Sequence, residues 1–213
     1  VTTKEQSMAA GDKPFLLLDC GANADCKPEY LQQFAVMGSA YMKGVMGISS
    51  PRVGLINNGT EDTKGSELAK AAHALLKSTD VNFIGNREAR EIFLGGHDVL
   101  VTDGFTGNVI LKEAEGLATA LFKMLKGELM GSFKTKLGAA LAKPAFKNVK
   151  KKMDYTEYGG APLLGINGGI IKAHGSSNAY AFASAIDQAA AYVKGNVTEL
   201  IARGIAAIET EEG

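Results

Sequence analysis

The 213 residues contain no apolar run of about 18, the length that would suggest a membrane-spanning helix, and no signal-peptide pattern. Net charge is missing too: Lys plus Arg and Asp plus Glu number 23 each, so there is no general pull toward nucleic acid and charge has to be read locally. Cysteine is scarce. Cys20 and Cys26 are too few for a disulfide framework, and neither they nor the histidines have the spacing of a metal site, so no metal and no cofactor are expected. No internal repeat or low-complexity tract interrupts the chain. These absences point to a reduced, cytoplasmic setting and to partners other than nucleic acid. Hydrophobic residues make up 46% of the chain, enough to bury an ordinary core, and the length asks for no more than one α/β domain over residues 1–213.

What the chain does have is a repeated arrangement of a β-like run, a polar loop and a helical pattern. Phe15-Leu-Leu-Leu-Asp19 leads into Gly21-Ala-Asn-Ala-Asp25, and Arg52-Val-Gly-Leu-Ile56 into a loop over 57–65. Val81-Asn-Phe-Ile-Gly85 precedes Asn86 and a short charged helix; Asp98-Val-Leu-Val-Thr-Asp103 runs into Gly104-Phe-Thr-Gly-Asn108. Apolar periodicity predicts helices over 28–43, with Pro28 in the first turn, over 66–77 and over 108–126. Strands alternating with helices imply βαβ units and a parallel sheet with its loops gathered on one edge. Loops there, at helix N-termini, favour anions, so Gly104, Thr106 and Gly107 read as a phosphate site; the same glycines also suit a tight turn with no ligand.

Residues 1–13 are polar and aperiodic and read as a surface loop. Between 131 and 154 come Lys134, Lys136, Lys143, Lys147, Lys150, Lys151 and Lys152, with no acidic residue before Asp154. Phe133, Leu137 and Leu141, then Phe146, Val149 and Met153 past Pro144, predict two short amphipathic helices joined at the proline. Such an insertion suits an anionic membrane surface or an acidic protein, and equally a stripe packed on its own domain or on a second subunit. Residues 162–166 and 169–172 read as strands and 177–209 as one long helix. The loop between them, with His174, Gly175, Ser176 and Ser177, is a second candidate anion cradle, Ser176 or Ser177 serving at least as the N-cap. His174 is either a phosphate donor or general base, or a structural hydrogen-bonding residue; His73 and His97 read as surface.

Seven segments together resemble one family: Leu18-Asp-Cys-Gly-Ala-Asn23, Phe34-Ala-Val-Met-Gly-Ser39, Pro51-Arg-Val-Gly-Leu55, Gly59-Thr-Glu-Asp-Thr-Lys-Gly65, Thr102-Asp-Gly-Phe-Thr-Gly-Asn108, Tyr158-Gly-Gly-Ala161 and Lys172-Ala-His-Gly-Ser-Ser177. In order and spacing they are similar to the bacterial phosphate acyltransferases of phospholipid synthesis, the PlsX family, over the C-terminal two-thirds of its members. The family's N-terminal βαβ segment has no counterpart in the sequence given. The resemblance implies a three-layer αβα fold with a mostly parallel sheet, related to phosphotransacetylases and to isocitrate and isopropylmalate dehydrogenases. It implies transfer of a long-chain fatty acyl group from acyl carrier protein to inorganic phosphate. Its implied associations are a homodimer, acyl carrier protein, an anionic membrane surface and the membrane glycerol-3-phosphate acyltransferase that acts next.

That reaction develops negative charge on a thioester carbonyl as a phosphate approaches, so both need positioned donors. Lys64, beside Gly65, and Asn108, at an expected helix start, are the candidate catalytic residues; an exposed loop lysine and a helix cap are the plain alternatives. Asn23, Gly104, Thr106, Gly107, His174, Gly175, Ser176 and Ser177 are the candidate phosphate and substrate contacts, and Phe133, Leu137, Leu141 and Phe146 the membrane contacts. A covalent route through Cys20 is the weaker reading, since phosphate is itself a nucleophile. Asp19, Asp25 and Asp103 suit loop-holding carboxylates better than a Mg2+ site. The rival functions are a phosphotransacetylase-like enzyme using acyl-CoA and a non-catalytic membrane-surface scaffold for acyl carrier protein; lysines at 131–154 favour acidic carrier protein over a small acyl-CoA.

Overall fold

The run Phe15-Leu-Leu-Leu18 is apolar on both its faces, the pattern of a strand covered from both sides, and it forms the buried strand β2 (Pro14–Leu18). The computed structural model describes residues 3–6, 14–152, 160–173, 175 and 177–211. Around β2 the described elements are, in chain order, β1 (Thr3–Gln6), α1 (Pro28–Met46), β3 (Arg52–Asn57), α2 (Glu67–Ser78), β4 (Asn82–Glu88), a 3-10 helix (Ala89–Leu94) and β5 (Val99–Val101). Then follow α3 (Gly104–Leu129), α4 (Phe133–Lys152), β6 (Ala161–Leu163), β7 (Ile170–Lys172), α5 (Ala179–Lys194) and α6 (Val197–Glu211). The main sheet has the order β1-β2-β5-β3-β4, in which β2, β5, β3 and β4 are parallel and β1 is an antiparallel edge. The α/β architecture with a mostly parallel sheet is therefore present.

Successive side chains of a strand point to opposite faces, and two cores follow from that. Leu16 and Leu18 of β2, Val53 and Leu55 of β3 and Val99 and Val101 of β5 turn toward α1, α2 and α6, in a cluster with Phe34, Tyr41, Leu76 and Ile201. Phe15, Leu17 and Leu100 turn to the other face, where Ile92 of the 3-10 helix is buried with them and Ile110 and Leu111 of α3 pack alongside. This second layer is thin. Only the first turns of α3 reach the sheet; from Lys112 onward none of its residues is buried.

Several elements differ from their sequence-based expectation. Residues 3–6 form strand β1 on the outer edge of β2, where pairing satisfies backbone groups whatever the side-chain pattern. The strands near 162–166 and 169–172 are β6 and β7, which pair antiparallel in a separate ribbon; a link this short cannot make the long crossover of a parallel pair. The long helix over 177–209 is two helices. The Gly195 N–H returns to Ala191 O at 2.8 Å, Asn196 takes a left-handed φ of 51°, and its side-chain amide donates to Glu199 in the first turn of α6. The pair of helices expected in 131–154 is the single helix α4, which carries Pro144 in its interior. A proline there removes one N–H bond, and on an exposed helix water can meet the carbonyl that is released.

His73 and His97 are buried, at 3% and 4% exposure, and not on the surface as the sequence suggested. The His97 ring stands edge-on to Phe15 with centroids 5.0 Å apart, and burial pushes its pKa from 6.5 down to about 4, against a smaller opposing effect of the Ile92 backbone. Folded His97 is thus neutral where the unfolded chain already takes up a proton. Stability contributed by the neutral ring is full above pH 6.5 and is lost as pH falls toward 4. Between those values the unfolding free energy read from urea curves should fall toward acid, His97 contributing a slope no steeper than about 1.4 kcal/mol per pH unit, and His97→Leu should flatten it. A wild-type midpoint constant across this window would contradict the assignment. Neighbouring Asp98 titrates lower: burial raises its carboxyl, but Arg52, donating from Nε at 2.9 Å and Nη2 at 3.1 Å, holds it below the usual range.

Candidate active site

Strands β3 and β5 are neighbours, yet the helices that follow them go to opposite faces, α2 to the side of α1 and α3 to the other. Such a switch opens a crevice beyond the carboxyl ends of the strands. Here it is a cleft of about 700 Å³. Leu31, Leu55, Ile56, Leu68, Ala69 and Ile110 supply its apolar lining, and Asn57, Asn58, Gly65, Ser66, Glu88, Arg90, Thr102, Asp103 and Thr106 supply polar groups.

On the β3 side the loop to α2 is closed by its own side chains. Asn57 Nδ2 donates to Lys64 O at 3.0 Å, Asn57 Oδ1 accepts from the Asn58 N–H at 2.8 Å, and the Lys64 N–H donates to Glu61 O at 3.1 Å. Gly65 has φ 100°, and a Cβ there would stand 2.4 Å from Asn57 Oδ1, so only glycine closes this loop. Ser66 is the N-cap of α2, its Oγ accepting from the Ala69 N–H at 3.2 Å. The N–H groups of Glu67 and Leu68 have no partner within the helix, as helix geometry requires. Lys64 itself is exposed, its stem lying against Gly59.

On the β5 side α3 begins at Gly104, four positions before the expected start at Asn108, because Asp103 is the N-cap. Asp103 accepts from the Thr106 N–H and from Thr106 Oγ1, each at 2.8 Å. The Gly104 N–H donates to Asn23 O at 2.8 Å and the Gly107 N–H to Asp103 O at 3.0 Å. The donors that a glycine turn was expected to offer an anion at Gly104, Thr106 and Gly107 are thus engaged inside the protein. Thr106 and Ile110, four apart, share the face of α3 toward the cleft, while Gly104, Gly107 and Asn108 share the face toward the loop after β2. A Cβ on Gly21 would stand 3.7 Å from the Asn108 side chain. Asn108 is therefore not brought into the cleft with the Lys64 loop.

The seam under α3 is acidic. Asp19 accepts from the Ala22 N–H at 3.2 Å and from Asn23 twice, through its N–H at 2.6 Å and its Nδ2 at 3.0 Å, so Asp19, like Asp103, acts as a loop holder. Burial pushes the Cys26 thiol above its ordinary value against the Gly104 backbone, and the carboxylates of Asp103, Asp19 and Asp25 add to that rise. Cys20 is buried and donates Sγ–H to Leu17 O at 3.5 Å.

The second predicted cradle is placed only in part. His174 and Ser176 lie outside the described residues; Gly175 and Ser177 do not line the cleft. Ser177 does not cap α5. Asn178 does, accepting from the Ala181 N–H at 2.9 Å, because the helix starts two residues later than expected. Among the described residues of the predicted site only Thr106 lines the cleft, whereas Asn57, Ser66 and Arg90 line it without having been singled out. Ser66 had a readable signal, a serine just before an apolar-periodic run; Arg90 had none. On α4, Phe133 is 82% and Leu141 78% exposed, Leu137 is also exposed and Phe146 half-buried, so the first half of the stripe is not packed against the described residues; Met153 lies outside them.

The sequence model of the family described as Fatty acid synthesis protein matches residues 7–200. The chain belongs to this family. Those residues span every element of the cleft and all of α4. Within the family, a Phosphate acyltransferase of Clostridium botulinum (strain Loch Maree / Type A3) is 59% identical over 176 residues, covering 83% of this chain and 52% of the relative. Phosphate acyltransferases of Clostridium tetani and Lysinibacillus sphaericus are 50% and 55% identical, covering 95% and 93% of this chain and 61% and 60% of the relatives. The chain thus spans about half to three-fifths of the length of these curated relatives. Among solved structures, the EutD phosphotransacetylase from Staphylococcus aureus superposes on 56% of this chain and 43% of its own, with a TM-score of 0.42 and 20% identity.

Proposed function

We propose that the protein to which this chain belongs moves a long-chain fatty acyl group from acyl carrier protein to inorganic phosphate, giving acyl-phosphate for phospholipid synthesis. The observation that carries this reading is the cleft, where an apolar lining of Leu31, Leu55, Leu68 and Ile110 adjoins the first-turn N–H groups of α2. An acyl group and an anion fit there side by side. A phosphate oxygen attacks the thioester carbonyl carbon, the C–S bond breaks, and the carrier thiolate leaves and takes up a proton. Because Asp19 and Asp103 make the start of α3 acidic, phosphate sits on the Gly65–Ser66 side, with Lys64 neutralising it or the carbonyl oxygen. Asn23, Gly104, Gly107 and Asn108 then fix α3 against the loop after β2. The name of the curated relatives supports the same chemistry. At full length the protein should form acyl-phosphate from long-chain acyl carrier protein and orthophosphate; turnover with acyl-CoA alone would favour the phosphotransacetylase-like reading.

Helix α4 extends the proposal to a peripheral membrane contact by a cytoplasmic homodimer that hands its product to a membrane acyltransferase. Phe133, Leu137 and Leu141 are exposed on a helix that also carries seven lysines over 134–152. Each lysine near an anionic surface contributes about 1 kcal/mol, and each inserted apolar side chain roughly 1–2 kcal/mol, so the two together give reversible attachment. Leu137→Glu combined with Leu141→Glu should release the full-length protein from anionic liposomes in sedimentation assays while acyl transfer in solution persists. Wild-type binding should weaken with added salt. Loss of the dimer together with binding would make the stripe a subunit contact.

A further inference from the structure

We propose that His73 is a positioning residue, which acts through Asp62 and Asn86 to hold the loop carrying Lys64 in its place beside the cleft; this rests on the reading of Lys64 given above. Helix α2 places His73 beneath that loop, where none of the chemistry derived so far uses it. Its ring stands edge-on to Phe83 of β4, with centroids 5.1 Å apart. Its Nδ1 lies 2.9 Å from Asn86 Oδ1, and its Nε2 lies 3.2 Å from Asp62 Oδ1. Asn86 is buried as well, and its Nδ2 donates to Glu61 O at 2.8 Å. Since the amide nitrogen is taken by Glu61, it is Oδ1 that faces the ring, and Nδ1 is the donor; Nε2 then makes no hydrogen bond of its own and meets Asp62 as an ion pair of the doubly protonated ring. Lys77, one turn beyond His73 on α2, pairs with the other oxygen of Asp62.

The loop is thus held from below at Glu61 O and the Asp62 carboxylate and from the side at Lys64 O, by Asn57. The groups facing His73 are Asp62 from the loop, Lys77 from its own helix, and Asn86 and Phe83 from β4. Asp62's carboxyl is held below the usual range, by the Lys77 hydrogen bond first and by His73 after it. Exposed loop residues are otherwise costly to order, and a charged group offset by about 1 Å loses much of its effect on a reacting centre. An apolar side chain in place of His73 would fill the slot while leaving Asn86 Oδ1 and Asp62 without that partner.

The test uses the full-length protein with His73→Leu, Asp62→Ala and Lys64→Ala, singly and with each of the first two combined with the third. Asp62 has an exposed side chain, so its replacement removes the contact from the loop side, together with the Lys77 pair, without touching the buried ring. Both loosening variants should raise amide exchange over 58–65 by about tenfold, the scale of one lost hydrogen bond, with β3 and the body of α2 still protected. They should raise the KM for orthophosphate more than they lower kcat. Placed on Lys64→Ala they should change turnover no further. Unchanged exchange in both variants overturns the latch. An equal loss of turnover with or without Lys64 shows that the contact supports the fold and not that side chain, and also overturns the proposal. A Lys64→Ala protein of normal turnover removes the reading of Lys64 and the proposal with it, whereas exchange alone still reports whether the loop is held.

Discussion

Gly107→Ala should lower the stability of the protein by about 2–3 kcal/mol, the scale of a forced overpacking. A Cβ at position 107 would stand 1.9 Å from the carbonyl oxygen of Asp19 and 3.0 Å from Thr102 Cγ2. The first of these is backbone at the end of a central strand, so it cannot rotate away. Either α3 lifts off the loop after β2 or β2 shifts within the sheet, and both routes disturb the cluster of Phe15, Leu17 and Leu100. Gly116→Ala, on the same helix with nothing within 4 Å of its Cβ, is the matched control. Alanine is the better helix former there, and it should gain about 1 kcal/mol. Urea midpoints moving in opposite directions for the two substitutions are the expected result. A wild-type midpoint for Gly107→Ala would mean that α3 does not approach β2 this closely.

Lys64→Ala should lower acyl-phosphate formation by at least about 100-fold, the usual scale for a positioned electrostatic donor. Its stability should not move, because the side chain is exposed and the loop is closed by the Lys64 backbone: Asn57 holds its carbonyl at 3.0 Å, and its N–H meets Glu61 O at 3.1 Å. Alanine keeps both bonds. A folded variant with near-normal turnover would return Lys64 to the class of ordinary surface lysines and leave phosphate to the N–H groups of α2 alone.

The apolar runs at 15–18, 52–56 and 98–103 were legible as strands because parallel strands covered on both faces have to be apolar on both. Helix α1 was legible from its Pro28 start and its spacing of apolar residues. The start of α3 was misread by one turn. Asp103 and Asn108 are both competent caps, and what selects Asp103 is the Asn23 carbonyl waiting for the Gly104 N–H, a contact between segments far apart in sequence. His73 and His97 were misread for the same reason: a polar residue reads as surface until a neighbour such as Asn86 or the Phe15 ring is brought to it. In the candidate site the loop containing Lys64 and Gly65 was visible as a motif, but its closure by Asn57 and Asn86 was not.

By itself the sequence determined the parallel strands of the main sheet and the helices between them, since these follow from local periodicity and from the alternation of strand and helix; the edge strand β1 and the division of the last helices it did not. Tertiary structure alone decided the strand order. The insertion of β5 between β2 and β3 is what sends neighbouring helices to opposite faces and opens the cleft. Tertiary structure alone also decided which donors are available to a ligand, because a helix start presents the same N–H groups in any context. In α3 the N–H groups of Gly104 and Thr106 meet Asn23 and Asp103, whereas in α2 the Ser66 side chain takes only the Ala69 N–H, and Ser66, Leu68 and Ala69 line the cleft.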